Sequence, residues 1–257
     1  NRMRIFKSVL LVFSLLSTNL LTAEPADDPN TFQVETTTMK MNPGKDLEDL
    51  LAIRSKFATF AKSGDLKFGS VVLVPWAVSK AAFPDAQDWD VLWVGFSPNT
   101  ADYAGALSYY LENGAMINAD FDSVRANVGT TLMGAEAVFR SGAERSDAPG
   151  VVLFRTCQLN AKQSMDNAKK AMVAMSEKLQ EGGSKGSTFF WNPGPGAAPS
   201  MEDSFIISRW FPSVEAWGQS AMAYQNGDLS KEQAAADRAM ECSAFRMYTS
   251  YSFYNFR

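Results

Sequence analysis

The apolar positions follow two alternating rhythms along the chain. Phe32 to Met41 reads as one extended stretch, and Asn42-Pro43-Gly44 marks a turn after it. From Asp46 to Lys62 the spacing changes to threes and fours, with Leu47, Leu50, Leu51, Phe57 and Phe60 on one face, which predicts a helix. Val71–Val74 and Val91–Val94 are short unbroken apolar runs and predict strands. Ala101–Asn113 predicts a second helix with Tyr103, Leu107, Tyr110 and Leu111 inward and Gly114 beyond its end. A last strand is expected within Thr131–Phe139, and Arg140 to Gly150 reads as a linker.

The same plan then repeats. Val151–Leu159 predicts a strand, and Ser164–Glu181 a helix with Met165, Ala168, Met172, Met175 and Leu179 inward. Thr188–Trp191 and Phe205–Trp210 predict strands, Ser213–Asn226 a helix, and Ala244–Phe253 a closing strand. Pro98 and Pro212, Tyr103 and Trp217, and Tyr110 and Tyr224 are each 114 residues apart. The match is one of pattern more than of identity.

Each half reads β-α-β-β-α-β, the ferredoxin-like order, an antiparallel sheet with both helices on one face. A sheet with one wet face should alternate apolar and polar residues. VVLV, VLWV, VVLF and TFFW do not alternate. Their second face needs a cover, and the sheet of the other half is the nearest one. The expected class is therefore α+β: two ferredoxin-like halves, residues 32–140 and 151–257, joined by a linker at 141–150 and packed as one barrel within the chain. This doubled plan resembles the dimeric α/β-barrel superfamily, which includes antibiotic-biosynthesis-type monooxygenases, with two protomers fused. The D-x-D-V-x-W-x-G pattern from Asp88 to Gly95 also resembles that of secreted proteins of marine bacteria.

Charge and composition narrow the function. Arg2, Arg4 and Lys7 precede an apolar run from Val9 to Leu21, and Ala23 offers a cleavage point, which is the layout of a signal peptide over residues 1–23. The run falls short of the roughly 20 residues that span a bilayer, so no stable membrane anchor is expected. Residues 24–31 read as a flexible leader. Removing the first 23 residues takes three positive charges from a net charge of −4 and leaves −7. That balance disfavours nucleic acid and points to a periplasmic or extracellular protein. The chain has no histidine, which excludes Ser-His-Asp catalysis, histidine-ligated haem and the usual catalytic zinc sites. No metal and no cofactor is expected. Asp85, Asp88, Asp90 and Asp203 read as solvated loop carboxylates, because a calcium loop would add a placed Gly and a bidentate Glu.

Cys157 closes the first strand of the second half, and Cys242 stands just before its last. Antiparallel pairing of those strands brings the two ends together, which predicts a disulfide. No residue is assigned a catalytic role. Trp191 and Asn192, at the end of a buried strand, are candidates to stack on a flat ligand and to donate to its carbonyl. Trp76 and Trp93 are the candidates in the first half. Arg155 and Arg209 lie near the ends of buried strands, where arginine is costly without a partner, and could clamp a carboxylate. The leading expectation is a small apolar or aromatic ligand held between sheet and helices. Within the resembled superfamily, some cofactor-free monooxygenases use an Asn and aromatic residues, which gives Asn192 and Trp191 an alternative catalytic reading. The third reading is a cell-envelope assembly module, with Tyr248, Tyr251, Phe253, Tyr254 and Phe256 offering a self-association surface beyond the sheet edge.

Overall fold

The computed structural model describes residues 29–78, 89–144 and 148–256. The segment read as a signal peptide, most of the leader, and Asp85 and Asp88 lie outside the described residues. The first half runs β1 (Thr31–Met41), α1 (Leu47–Ala52), α2 (Arg54–Ser63), β2 (Gly69–Ala77), β3 (Val91–Ser97), α3 (Thr100–Asn113), α4 (Ala115–Asp122) and β4 (Arg125–Phe139). The second runs β5 (Gly150–Leu159), α5 (Met165–Glu181), β6 (Ser187–Pro193), β7 (Phe205–Phe211), α6 (Val214–Asn226), α7 (Ser230–Ala239), β8 (Met240–Cys242) and β9 (Arg246–Tyr254). The pairs β3/β7 and α3/α6 begin 114 residues apart, as the sequence repeat implies. Side chains fix where helices start. Asp46 and Asp49 form a capping box on α1, and Asn99, Ser164 and Ser213 accept backbone N–H groups at the starts of α3, α5 and α6.

All strand pairings are antiparallel. Within the first half the order is β4-β1-β3-β2, and within the second β9-β5-β7-β6. Each half thus has a free edge on both sides, and the halves consume each other's. β4 pairs with β6 from Met133↔Pro193 to Phe139↔Thr188, and β2 pairs with β9 from Ser70↔Tyr254 to Ala77↔Met247. Eight strands therefore close into a hydrogen-bonded barrel, with β8 as a short continuation beside β5. The halves meet edge to edge, a tighter union than two sheets stacked face to face, and each seam pairs edge strands that either half alone would expose.

Closure explains the strands that are apolar on both faces. The inward side chains fill the lumen: Val34, Leu73, Val94 and Met133 from the first half, Val152, Phe154, Trp191, Ile206 and Tyr248 from the second. The alternate residues face outward under the helices. Under α1, α2 and α4 these are Val72, Val91, Trp93 and Phe253, gathered around Phe57. Under α5 and α7 they are Cys157, Phe190, Phe205 and Ile207, with Ala168, Ala171 and Met172 of α5.

Several expectations change. The helix read over Asp46–Lys62 is two helices, because the Ile53 N–H bonds back to Leu50 and tightens the chain there. The apolar stripe Leu50, Ile53, Phe57, Ala61 runs through the break, so periodicity does not register it. On α3 the buried stripe is Tyr103 and Ala106, while Leu107 and Leu111 are exposed. At 100° per residue they drift off the face that meets the sheet. The closing aromatics do not extend beyond an edge. β9 is paired on both sides, and Tyr248, Phe253 and Tyr254 are buried. The linker expected from Arg140 to Gly150 ends one residue early, since Gly150 begins β5.

Candidate ligand site

The structure separates the six ligand candidates into five places. Trp191 points into the lumen, its ring 5.0 Å from that of Phe154 and stacked on Trp210 at 6.4 Å. Asn192 follows it on β6 and so faces the other side of the sheet, exposed to solvent. The two cannot grip one ligand as a pair. Trp93 is buried under the first-half helices, its ring 4.8 Å from Phe253. Trp76, at the end of β2, is 73% exposed and touches none of the others.

Arg155 and Arg209 do come together. They are outward residues of neighbouring strands, β5 and β7, one row apart in the register Leu153↔Arg209 and Arg155↔Ile207. Elements from all around the second half close over them. From α5, the Met172 thioether sulfur accepts from Arg155 Nη2 at 3.5 Å. From the β8–β9 connection, the Phe245 ring covers the Arg155 guanidinium at 4.7 Å, and Phe211 covers that of Arg209 at 5.3 Å. The Tyr224 hydroxyl of α6 and the Asp237 carboxylate of α7 act on Arg155 electrostatically. Tyr224 donates to Gln233 at 3.3 Å, and Gln233 in turn donates to Asp237 at 2.7 Å.

The disulfide lies beside this group. Cys157 and Cys242 are register partners of β5 and β8, with Cα atoms 4.1 Å apart. The Ser243 N–H donates to the Thr156 carbonyl at 2.8 Å, and the Thr156 N–H donates to Ser243 Oγ at 3.1 Å. Together these bonds hold the short connection that carries Phe245 onto Arg155.

Among the described residues, what the arginines lack is a counter-ion. Arg209 is only 8% exposed, and no acceptor among the described residues reaches its Nε or Nη2, or Nε of Arg155. Neither takes part in any ion pair of the described residues. Burial, and then the neighbouring charge of Arg155, lowers the Arg209 pKa to about 10. Burial also lowers that of Arg155, against the pull of Tyr224 and Asp237.

The first half has a different interior at the equivalent place. The positions matching Leu153, Arg155 and Arg209 in the register are Glu35, Thr37 and Gly95. Tyr103 donates to Glu35 at 2.7 Å, and Thr37 shares a hydrogen bond with Thr130 at 2.9 Å. Gly95 leaves room for the Phe68 ring, which a Cβ there would strike. Around it Phe57 meets six other rings at centroid distances of 5.6–6.5 Å. That half is sealed by aromatic packing. Among its described residues the one buried arginine, Arg125, sits 3.6 Å from Asp122.

Other chemistry is sparse. Among the described residues no three His, Cys, Asp or Glu side chains group as metal ligands, and both cysteines are bonded to each other. With no imidazole in the chain, the donor set does not fit a histidine-ligated metal or haem. Asp90 accepts from Lys40 and from the Met41 N–H, so its carboxylate ties β1 to the start of β3. A surface depression of about 280 Å³ lies where Phe32, Pro98, Gly134 and Asn192 meet. A second, of about 340 Å³, runs between α5 and α7 past Lys170 and Arg238.

No protein-family model matches the chain, and no curated protein matches it in sequence. Solved structures do match in shape. A provisionally assigned monooxygenase from Lactobacillus acidophilus NCFM superposes with a TM-score of 0.51 at 8% identity, over 87% of this chain and 94% of that one. A provisionally assigned chlorite dismutase superposes with a TM-score of 0.50 at 9% identity, over 86% and 95%. The chain has the dimeric α/β-barrel fold. At such identities the likeness concerns the dimeric α/β barrel alone, and residue roles rest on this chain's own geometry.

The sequence singles out the arginine pair through the cost of burying arginine in a strand. Met172, Tyr224 and Phe245 escape it as site residues. Their spacing is that of core positions, and only the folded chain shows them converging on one charge pair.

Proposed function

We propose that this dimeric α/β barrel binds a small, mostly apolar or aromatic organic ligand between the sheet and helices of its second half. The observation that carries the reading is the asymmetry of the halves. One helix–sheet interface is sealed by interlocked rings, while the other is lined by Met172, small side chains of α5–α7 and two arginines that have no counter-ion among the described residues. Ligand sites are mostly apolar with a few convergent polar groups, and methionine-lined walls adapt to what they hold. The cystine and the charge balance support a periplasmic or extracellular setting. Among the described residues no helix is long and apolar enough to cross a membrane.

Native mass spectrometry of protein purified from its own host tests the reading. The expected result is a carried-over small molecule that is lost on unfolding; a bare mass under gentle conditions, with no small aromatic compound raising the melting temperature, would contradict it. The second reading is a cofactor-free oxygenase; the provisionally assigned monooxygenase from Lactobacillus acidophilus shares the fold, and Asn192 borders an outer depression. It would have to use Asn192 from the outer depression, without Trp191. Oxygen uptake with quinols that survives chelation and disappears in Asn192→Ala would select it. The assembly reading would instead show mass growth with concentration in light scattering.

A further inference from the structure

We propose that Arg155 and Arg209 form the receptor for a single carboxylate on the ligand of the second half. The inference rests on the ligand reading for its place and adds the charge of what binds there. Three observations converge. First, Arg209 is more than nine-tenths buried, and two of its three nitrogens have no acceptor among the described residues. A buried charge whose N–H groups go unanswered is costly, so the native protein gains by importing what it lacks. Second, the groups in reach do not supply a partner. Arg155 Nη2 is left with a thioether, a weak acceptor, and Asp237 is engaged by Gln233 without forming an ion pair with either arginine. Third, the guanidinium carbons lie over the Phe245 and Phe211 rings at 4.7 and 5.3 Å, and a phenyl ring offers no acceptor for the N–H groups that a carboxylate engages with two parallel hydrogen bonds.

The contrast within the molecule sharpens this. Arg125 is buried to a similar degree and has the Asp122 carboxylate 3.6 Å away, a neighbour that Arg209 lacks among the described residues. The pseudo-equivalents of Arg155 and Arg209 are Thr37 and Gly95, so the repeat does not require a cation at either position. Only the second half places two cations one row apart in a buried face, where each raises the cost of the other. An anion bridging them would relieve both costs at once.

The test uses the full-length oxidised protein and three probes, benzoate, its neutral counterpart benzyl alcohol, and nitrate, read by calorimetry and thermal shift. Benzoate is expected to bind one per chain and to raise the melting temperature, with benzyl alcohol weaker by roughly 10–100-fold, the worth of charge-assisted hydrogen bonds. Arg209→Met, close in length and uncharged, should lose benzoate binding by a similar factor. It should also melt higher than wild type without ligand, because it removes a buried charge that nothing neutralises. Arg209→Lys keeps the charge without the planar fork and should bind benzoate weakly; it serves as the second variant should Arg209→Met misfold. Nitrate binding as tightly as benzoate would place the affinity in the anion receptor rather than in the apolar walls, and would still support the pair as receptor. Equal affinity of wild type and Arg209→Met for benzoate, or a lower melting temperature for unliganded Arg209→Met, would overturn the proposal. If mass spectrometry finds a neutral ligand that both proteins bind alike, the carboxylate inference falls and the ligand reading stands. If neither a carried-over molecule nor any of the three probes binds, both fall together.

Discussion

Phe57 is the point at which the two halves depend on each other most visibly. It sits on α2 of the first half and is 5% exposed, and its ring meets Phe60, Phe68, Trp93 and Phe121. It also meets Phe253 at 5.7 Å and Tyr254 at 5.6 Å, on the last strand of the second half. Replacing it with alanine removes a fully packed ring and leaves a cavity walled by rigid neighbours that cannot collapse into it. Buried Phe→Ala changes cost about 3–5 kcal/mol, and six aromatic neighbours put this site near the upper end, at about 4.5 kcal/mol. With a urea slope of about 3 kcal/mol/M, the midpoint should fall by about 1.5 M. The curve should stay a single transition, because the lost ring also supports β9, and β9 pairs with both β2 and β5. Phe57→Leu, which keeps much of the volume, should lose only about 1.5 kcal/mol. Urea denaturation followed by tryptophan fluorescence and by far-ultraviolet dichroism measures both quantities. A loss below about 1.5 kcal/mol for Phe57→Ala would refute the packing estimate. Two separated transitions, with the second half surviving the first, would refute the coupling.

Three more outcomes follow from the same geometry. Removing the cystine by Cys157→Ala with Cys242→Ala opens a link spanning 85 residues and should cost up to about 4–5 kcal/mol in chemical denaturation, the chain-entropy value for such a loop. It should also weaken benzoate binding, since the connection bearing Phe245 is released. Gly95→Ala drives a methyl group into the Phe68 ring and should cost about 1–3 kcal/mol of stability without changing ligand binding in the other half. Burial raises the pKa values of Tyr103 and Tyr248, and the Glu35 hydrogen bond and charge raise that of Tyr103 further. Both therefore stay protonated in the folded protein when the unfolded chain begins to ionise near pH 10. Their contribution is complete below that pH and declines as pH rises past it, by up to roughly 1.4 kcal/mol per pH unit for each tyrosine. Absorbance titration at 295 nm should leave these two silent at pH 10 and release them only on unfolding; their ionisation in the native protein at pH 10 would contradict the assignment.

Much of the architecture is legible in the chain because its signal is strong and local. The unbroken runs of β3, β5 and β7 announce strands covered on both faces, and the 114-residue offset of Pro98/Pro212 and Tyr103/Trp217 reappears in the element starts. The cysteine pairing follows from strand order alone. Weaker signals are lost for identifiable reasons. α7 buries only Ala236 and Ala239, whose small side chains barely mark a face. α4 carries Ile117 and Phe121 at helical spacing, but Gly114 before it reads as a stop, whereas the chain passes through Gly114 directly into another helix. The first part of β4 is polar and mostly exposed up to Thr130, so nothing in its pattern separates strand from loop. At the site, strand alternation should have parted Trp191 from Asn192, since neighbours on a strand face opposite ways. The arginines are suspect from sequence through the cost of burial. That their charge goes unanswered depends on distant segments, α5, α6, α7 and the Phe245 connection, and no local pattern encodes it.

Closure of the barrel underlies both the packing and the placing of the proposed ligand site, and native-state hydrogen exchange on its two seams tests closure most directly. The amides joining β4 to β6 and β2 to β9 should exchange only through global unfolding, with the same free energy as those joining β1 to β3. Fast exchange along either seam, with protection kept inside each half, would show two ferredoxin-like units lying side by side and would contradict a closed barrel.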